Sequence, residues 1–303
     1  MRNMYRENGL TYLTALWVLC LVTLYSPYCY SNSTGQTTSD CESCKGDTYL
    51  SKGKWDDAIT AYTSALKKNP VGAVYRKRGI AWAKEGKIEQ AVSDFKAAIY
   101  LDPSDAVALA NLAAANYKIG DISSAVGDAT KAITLDSTLV EAYIARGAAN
   151  QDLGKLDEAK ADFDAAIRLR PDDAVSYNNR GTLYTQQKRY EAAISDYSKS
   201  ISLSNRYASA YANRGYVYYK INRPDLAEKD LAYSLQLDNE VAETHYNLGV
   251  IFLEEPNYMA AIREFSKVIS LDPASIAAYN ARSQAYLGLG AKAEADKDAF
   301  SAR

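Results

Sequence analysis

Chemistry in a protein needs a nucleophile, a titratable base, a metal-ligand set or a phosphate cradle, and few stretches of this 303-residue chain offer one. Cys41-Glu42-Ser43-Cys44 is the first. Two thiols one helical turn apart can form a redox pair, a small disulfide or half of a metal site. Haem attachment would need a histidine next, and Lys45 stands there. Zinc would need a second donor pair, whereas the sole histidine, His245, lies about two hundred residues further on. Three readings stay open: a structural disulfide or idle packing thiols, an oxidisable pair, and a metal site.

His245 is also the only residue around which a Ser-His-Asp arrangement could be built. It takes the place that Tyr177 and Tyr211 hold in the pattern described below, which points to packing. The sequence has neither a GxxxxGK(S/T) nor a GxGxxG run to cradle phosphates. We therefore expect no catalytic residue, no metal and no cofactor. A formal net charge of -2 and 48% hydrophobic residues, with a pI near 5.7, describe neither a nucleic-acid binder nor a disordered chain.

Three polar rows recur at fixed spacing. Arg78, Arg146, Arg180, Arg214 and Arg282 form one, and Asp94, Asp128, Asp162, Asp196, Asp230, Glu264 and Asp298 a second. Ion pairs between packed helices explain these two better than an anion-binding stripe does. The third row is Asn111, Asn179, Asn213 and Asn247. An amide donates and accepts at once, so regularly spaced amides can hydrogen-bond an extended peptide backbone with little regard to its side chains.

What must position these rows is a repeat. In the stretch 173–205, Gly181 is followed by Tyr184, Ala193, Tyr197 and Ser200. Tyr177, Gly181 and Tyr184 share one helical face, and Ala193, Tyr197 and Ser200 share the next, so the unit is two amphipathic helices joined by a turn. Steps of 34 residues from Gly181 land on Gly79, Ala113, Gly147, Gly215, Gly249 and Ser283, with Gly46 one residue off register. Twelve residues after each of these eight anchors stands an alanine: Ala58, Ala91, Ala125, Ala159, Ala193, Ala227, Ala261 and Ala295. Gly86, Gly120, Gly154 and Gly290, with Asn222, mark the ends of first helices. Asp102-Pro103-Ser104, Arg170-Pro171-Asp172 and Asp272-Pro273 close second helices.

A 34-residue period with these anchors resembles the tetratricopeptide repeat (TPR) family, over roughly residues 40–303. The resemblance implies an all-α, right-handed α-solenoid of stacked helix-turn-helix units, since no unit buries its apolar face alone. It also places the asparagine row, two residues before the glycine position, on the concave side. There Tyr216, Tyr219 and Tyr246 are expected to join Asn213 and Asn247 as contact surface facing solvent. The row is similar to the asparagine ladder of the O-GlcNAc transferases; it is equally what idle motif positions would give. Arg76, Lys77, Lys84 and Lys118 are expected to make the other end of the groove more basic. A chaperone-type carboxylate clamp needs Lys and Asn one turn apart in the first helix, where Ser43 and Asp47 stand instead.

Ahead of the array, Arg2 and Arg6 precede a charge-free apolar run, Leu10 to Tyr25, and then Pro27 and a polar SNSTG stretch. Residues 1–33 read as a signal peptide cleaved after Ser33, or as an uncleaved membrane anchor, and 34–39 as a linker. Neither Cys20 nor Cys29 has the small residues of a lipid-attachment site before it. The sequence thus describes an exported, non-enzymatic interaction scaffold holding a protein or peptide partner, without nucleic acid. Its alternatives are a thiol-redox protein acting through Cys41 and Cys44, and a purely structural spacer. Neither the partner nor the oligomeric state is written in the residues.

Overall fold

The structure, a computed structural model, describes residues 41–302, so the expected export segment and linker lie outside the described residues. Sixteen helices and no strand occur among the described residues. They belong to two units. The unit up to residue 171 contains α1 (Glu42–Ser51), α2 (Trp55–Lys68), α3 (Gly72–Lys84), α4 (Ile88–Leu101), α5 (Ala106–Lys118), α6 (Ile122–Leu135), α7 (Val140–Asp152) and α8 (Leu156–Leu169). The unit from residue 172 contains α9 (Ala174–Gln186), α10 (Tyr190–Leu203), α11 (Ala208–Lys220), α12 (Pro224–Leu237), α13 (Ala242–Glu254), α14 (Tyr258–Leu271), α15 (Ile276–Gly288) and α16 (Lys292–Ser301).

Each odd-numbered helix pairs with the even-numbered one after it as an antiparallel hairpin, and three-residue turns make this work. The turn needs a left-handed residue, supplied by Gly86 (φ 85°), Gly120 (φ 86°), Gly154 (φ 76°) and Gly290 (φ 77°). Asn222 takes the same conformation, as expected, and so does Lys188, which the sequence does not advertise; both have φ 58°. Between repeats, aspartates organise the longer turns. Asp102 Oδ1 accepts from the Ser104 amide at 3.0 Å, and Asp105 Oδ1 then caps α5 by accepting from the Ala108 amide at 2.9 Å.

The hairpins are held by a glycine on the first helix meeting a ring on the second. A Cβ on Gly79, Gly147, Gly181 or Gly249 would stand 2.7 Å from a ring carbon of Phe95, Phe163, Tyr197 or Phe265 respectively. Those rings are almost wholly buried, each worth about 1.5–3 kcal/mol of apolar burial. The two anchors that are not glycine obey the same rule. Ala113 is tolerated because the ring position sixteen residues on is Ala129, and Ser283 because it is Ala299. Ala113, Ala129 and Ala145 pack together, while Ser283 Oγ donates to the Ala295 carbonyl at 2.8 Å.

Within each unit the odd-numbered helices form a continuous inner layer. In the second unit α11 lies against α9 and α13, and α13 against α15, whereas no two even-numbered helices touch each other. Helices closer together on one layer than on the other curve each unit toward the odd-numbered layer. No described helix is long and apolar enough to cross a membrane.

Candidate functional site

The arginine row proves to be structural. Arg78, Arg146, Arg180, Arg214 and Arg282 each grip the aspartate sixteen residues on (Asp94, Asp162, Asp196, Asp230, Asp298) with Nε and Nη2, at 2.7–3.0 Å. Nη1 reaches back to the preceding even-numbered helix, as from Arg214 to Ser198 Oγ at 2.9 Å and from Arg282 to Ser266 Oγ at 2.9 Å. Tyrosine rings stack on the guanidinium, Tyr211 and Tyr218 flanking Arg214. These donors are consumed inside the protein and offer no anion site.

Seven acids face five arginines, and the two remaining acids find substitutes. Where Leu112 replaces arginine, Asn116 Nδ2 donates to Asp128 Oδ2 at 2.9 Å; burial nonetheless pushes the Asp128 carboxyl up. Where Leu248 does so, His245 Nδ1 lies 2.7 Å from Glu264 Oε2 and Nε2 lies 3.0 Å from the Asn239 carbonyl. Burial would raise the Glu264 carboxyl, but the bonds from His245 and Arg263 outweigh it and hold it below the ordinary range. His245 is a buried hydrogen-bonding replacement for arginine in the ladder, and both of its ring nitrogens are engaged, by Glu264 and the Asn239 carbonyl, so no Ser-His-Asp arrangement is built on it.

The asparagines lie on the inner layer but do not face solvent as expected. Asn179, Asn213 and Asn247 of the second unit, and Asn111 of the first, are all buried, at 5% exposure or less. Position two before the glycine can reach across the seam between successive odd-numbered helices, as Lys77 does to Asp47 at 2.8 Å. Asn213 Nδ2 donates across that seam to Asn178 Oδ1 at 3.1 Å. Asn179 is 4% exposed, and its Nδ2 has no acceptor.

The tyrosines divide. Tyr216 is buried in the core of the second unit, so its ring is packing and not free contact surface. Tyr219 and Tyr246 remain half-buried at the edge of that core. Tyr246 tilts against Phe265 at 5.6 Å between centroids. Tyr219 donates its hydroxyl to Glu254 Oε1, and burial together with that bond raises the phenol well above its usual range. Tyr117 does the same to Asp152 Oδ2 at 2.7 Å in the first unit, so this is a recurrent brace between neighbouring repeats.

At the basic end, Arg76 is held by Asp105 and Lys77 by Asp47, each at 2.8 Å. Only Lys84 and Lys118 of the expected four are exposed, so the groove there is less basic than its composition implies. Cys41 is the half-buried N-cap of α1 and Cys44 is buried one turn on. Among the described residues no group of three His, Cys, Asp or Glu side chains could hold a metal.

Glu243, in the first turn of α13, drew no attention in the sequence. It is a half-buried carboxyl with no ion pair or hydrogen bond, and desolvation lifts it to about 7. Its signal is a register comparison: Glu141, three repeats earlier on α7, accepts from Arg170 Nη1 at 2.9 Å, whereas the counterpart of Arg170 is Asp272.

Family models for the tetratricopeptide repeat match residues 45–106, 140–173, 163–195 and 212–276, and a TPR repeat model matches 181–222. The chain belongs to the tetratricopeptide repeat family, an all-α repeat solenoid used as a scaffold for protein interactions. Among solved structures it is similar to a chain of the APC/C hetero-tetramer Cut9-Hcn1, with a TM-score of 0.71 and 20% identity over 81% of this chain. The match spans only 49% of that longer chain. A tetratricopeptide repeat protein of Parabacteroides merdae aligns with a TM-score of 0.64 and 18% identity, covering 82% of this chain and 98% of the other. PilF of Pseudomonas aeruginosa aligns with a TM-score of 0.60 and 18% identity, covering 66% and 90%. At such identities the likeness is one of fold alone. No curated protein matches the sequence.

Proposed function

We propose that this protein is an exported, non-catalytic scaffold whose inner helix layer over α9, α11 and α13 holds an extended peptide segment of a partner protein. Export rests on the basic and then apolar character of residues 1–25 followed by a small polar stretch. The observation that carries the binding reading is Asn179, whose Nδ2 is desolvated without an acceptor. A buried donor left unmade costs about 1–3 kcal/mol, and a peptide carbonyl laid along the layer would relieve that cost once the amide turns toward it. Tyr246 and Tyr219 border the same layer as amphipathic contact surface.

Site-specific photo-crosslinking tests the assignment. A photoreactive residue replacing Tyr246 on α13 is compared with one replacing Tyr233 on α12, each in the native compartment. Adducts to a protein segment at 246 and not at 233 are expected; adducts at 233 alone, or at neither, contradict the reading. Cys41 and Cys44, one helical turn apart, support redox work as a second reading. Unchanged activity in a double Cys→Ser variant would remove it.

A further inference from the structure

The inner layer of the second unit also carries a mark of partner chemistry. On α13, Glu243, Asn247, Val250 and Glu254 fall within one narrow stripe at 3.6 residues per turn, with Tyr246 beside Glu243 at i+3. Glu243 is half-buried, and no cation on the helices of this unit pairs with it. Arg214 of α11 grips Asp230, and Lys220 of α11 lies over the Tyr216 ring. Arg263 of α14 holds Glu264, Lys267 of α14 holds Glu240, and Arg282 of α15 grips Asp298. Lys229 of α12 makes no ion pair with it either.

The same register position elsewhere in this chain shows what such a carboxylate takes. Glu141 of α7 binds the guanidinium of Arg170, the C-cap residue of α8. At the C-cap of α14 stands Asp272, whose own carboxylate accepts from the Ala274 amide at 3.1 Å. The chain thus supplies an acid instead of the cation at the place where Glu243 would find one. Burial of an unpaired carboxylate lifts its pKa to about 7, so an incoming cation would regain much of what desolvation costs.

We propose that Glu243 seats a Lys or Arg side chain of the bound peptide, with the Tyr246 ring packed against the cation. The occupant is an extended basic segment of a partner protein, recognised through charge complementarity at one side chain while the rest of the layer reads backbone. This inference rests on the peptide-binding reading of the inner layer.

Selection of random ten-residue peptides displayed on phage against the full chain tests it. The expected result is enrichment of sequences with Lys or Arg at one fixed position. Their synthetic versions should bind Glu243→Gln about tenfold or more weakly, and Glu243→Lys should select Asp or Glu at that position instead. Glu141→Gln should leave the selection unchanged, because Arg170 already occupies that carboxylate. Glu243→Gln loses no internal bond, so it keeps the parent's helicity and melts no lower than the parent. Peptides that bind the inner layer without a fixed basic position, or that bind Glu243→Gln as tightly as the parent, overturn this inference and leave the peptide-binding reading standing. Failure to enrich any peptide overturns both.

Discussion

Gly181 on α9 and Tyr197 on α10 are so close that a methyl group on the glycine would stand 2.7 Å from the ring Cε1. That relationship explains why the repeat alternates between two packing solutions. A flat backbone admits a ring, and a small residue opposite admits a side chain, as at Ala113 with Ala129.

Gly181→Ala should therefore destabilise the protein by about 1–3 kcal/mol, although alanine is the better helix former by ~1 kcal/mol. In a Tyr197→Ala background the same change should be neutral or stabilising, because the ring it opposes is gone. Urea unfolding of the two singles and the double reads the coupling. Additive effects would contradict the account of the hairpin.

The arginine ladder predicts a contrast between two ion pairs of the same unit. Arg214→Gln strands the buried Asp230 carboxylate and should cost roughly 3–5 kcal/mol. Arg223→Gln removes a pair at 3.7 Å whose side chains are 54% and 69% exposed, and should cost close to nothing. Thermal melting of both variants checks it, and comparable losses would contradict the ladder's role.

Much of this architecture is legible in the residues. The eight glycine-equivalent anchors and eight alanines specify the hairpins because packing at a helix crossing depends on side-chain size, which the sequence states directly. The opposed arginine and aspartate rows are readable for the same reason. Solvent exposure on the inner layer is not. Asn213 and Tyr216 stand at positions that a single helix would present outward, and only packing against neighbouring repeats buries them. Glu243 was missed because its significance is relative: it differs from Glu141 only in what stands 29 residues later, Asp272 against Arg170. The left-handed conformation of Lys188 has no side-chain signature at all.

Glu243 also predicts a pH dependence. Its folded pKa, about 7, lies above the ordinary carboxyl range, so the folded state binds the extra proton. The stabilising contribution is full below the unfolded carboxyl pKa and is lost as pH rises through 7. Discounted for partial solvent access, Glu243→Gln should raise stability at pH 8 by about 1–3 kcal/mol and leave it unchanged at pH 4. Equal effects at both pH values, measured by denaturant titration, would contradict the burial argument.

Export makes its own prediction. Mass spectrometry of the mature protein should find a new amino terminus near Thr34 in an extracytoplasmic fraction. Met1 retained on a membrane-bound product would establish an anchor, and Met1 on a cytosolic product would contradict export.

The most direct measurement of the central claim is calorimetric titration of a crosslinked or phage-selected peptide against the parent and Asn179→Ala, with melting curves of both. Asn179 Nδ2 has no acceptor in the free protein, so its removal should not lower stability. Binding should weaken by the worth of one hydrogen bond, about 0.5–1.5 kcal/mol. Proline at the facing peptide position should weaken the parent complex more than a side-chain change does. Equal affinity of both proteins for the peptide, with folding intact, would contradict a backbone-reading role for the inner layer.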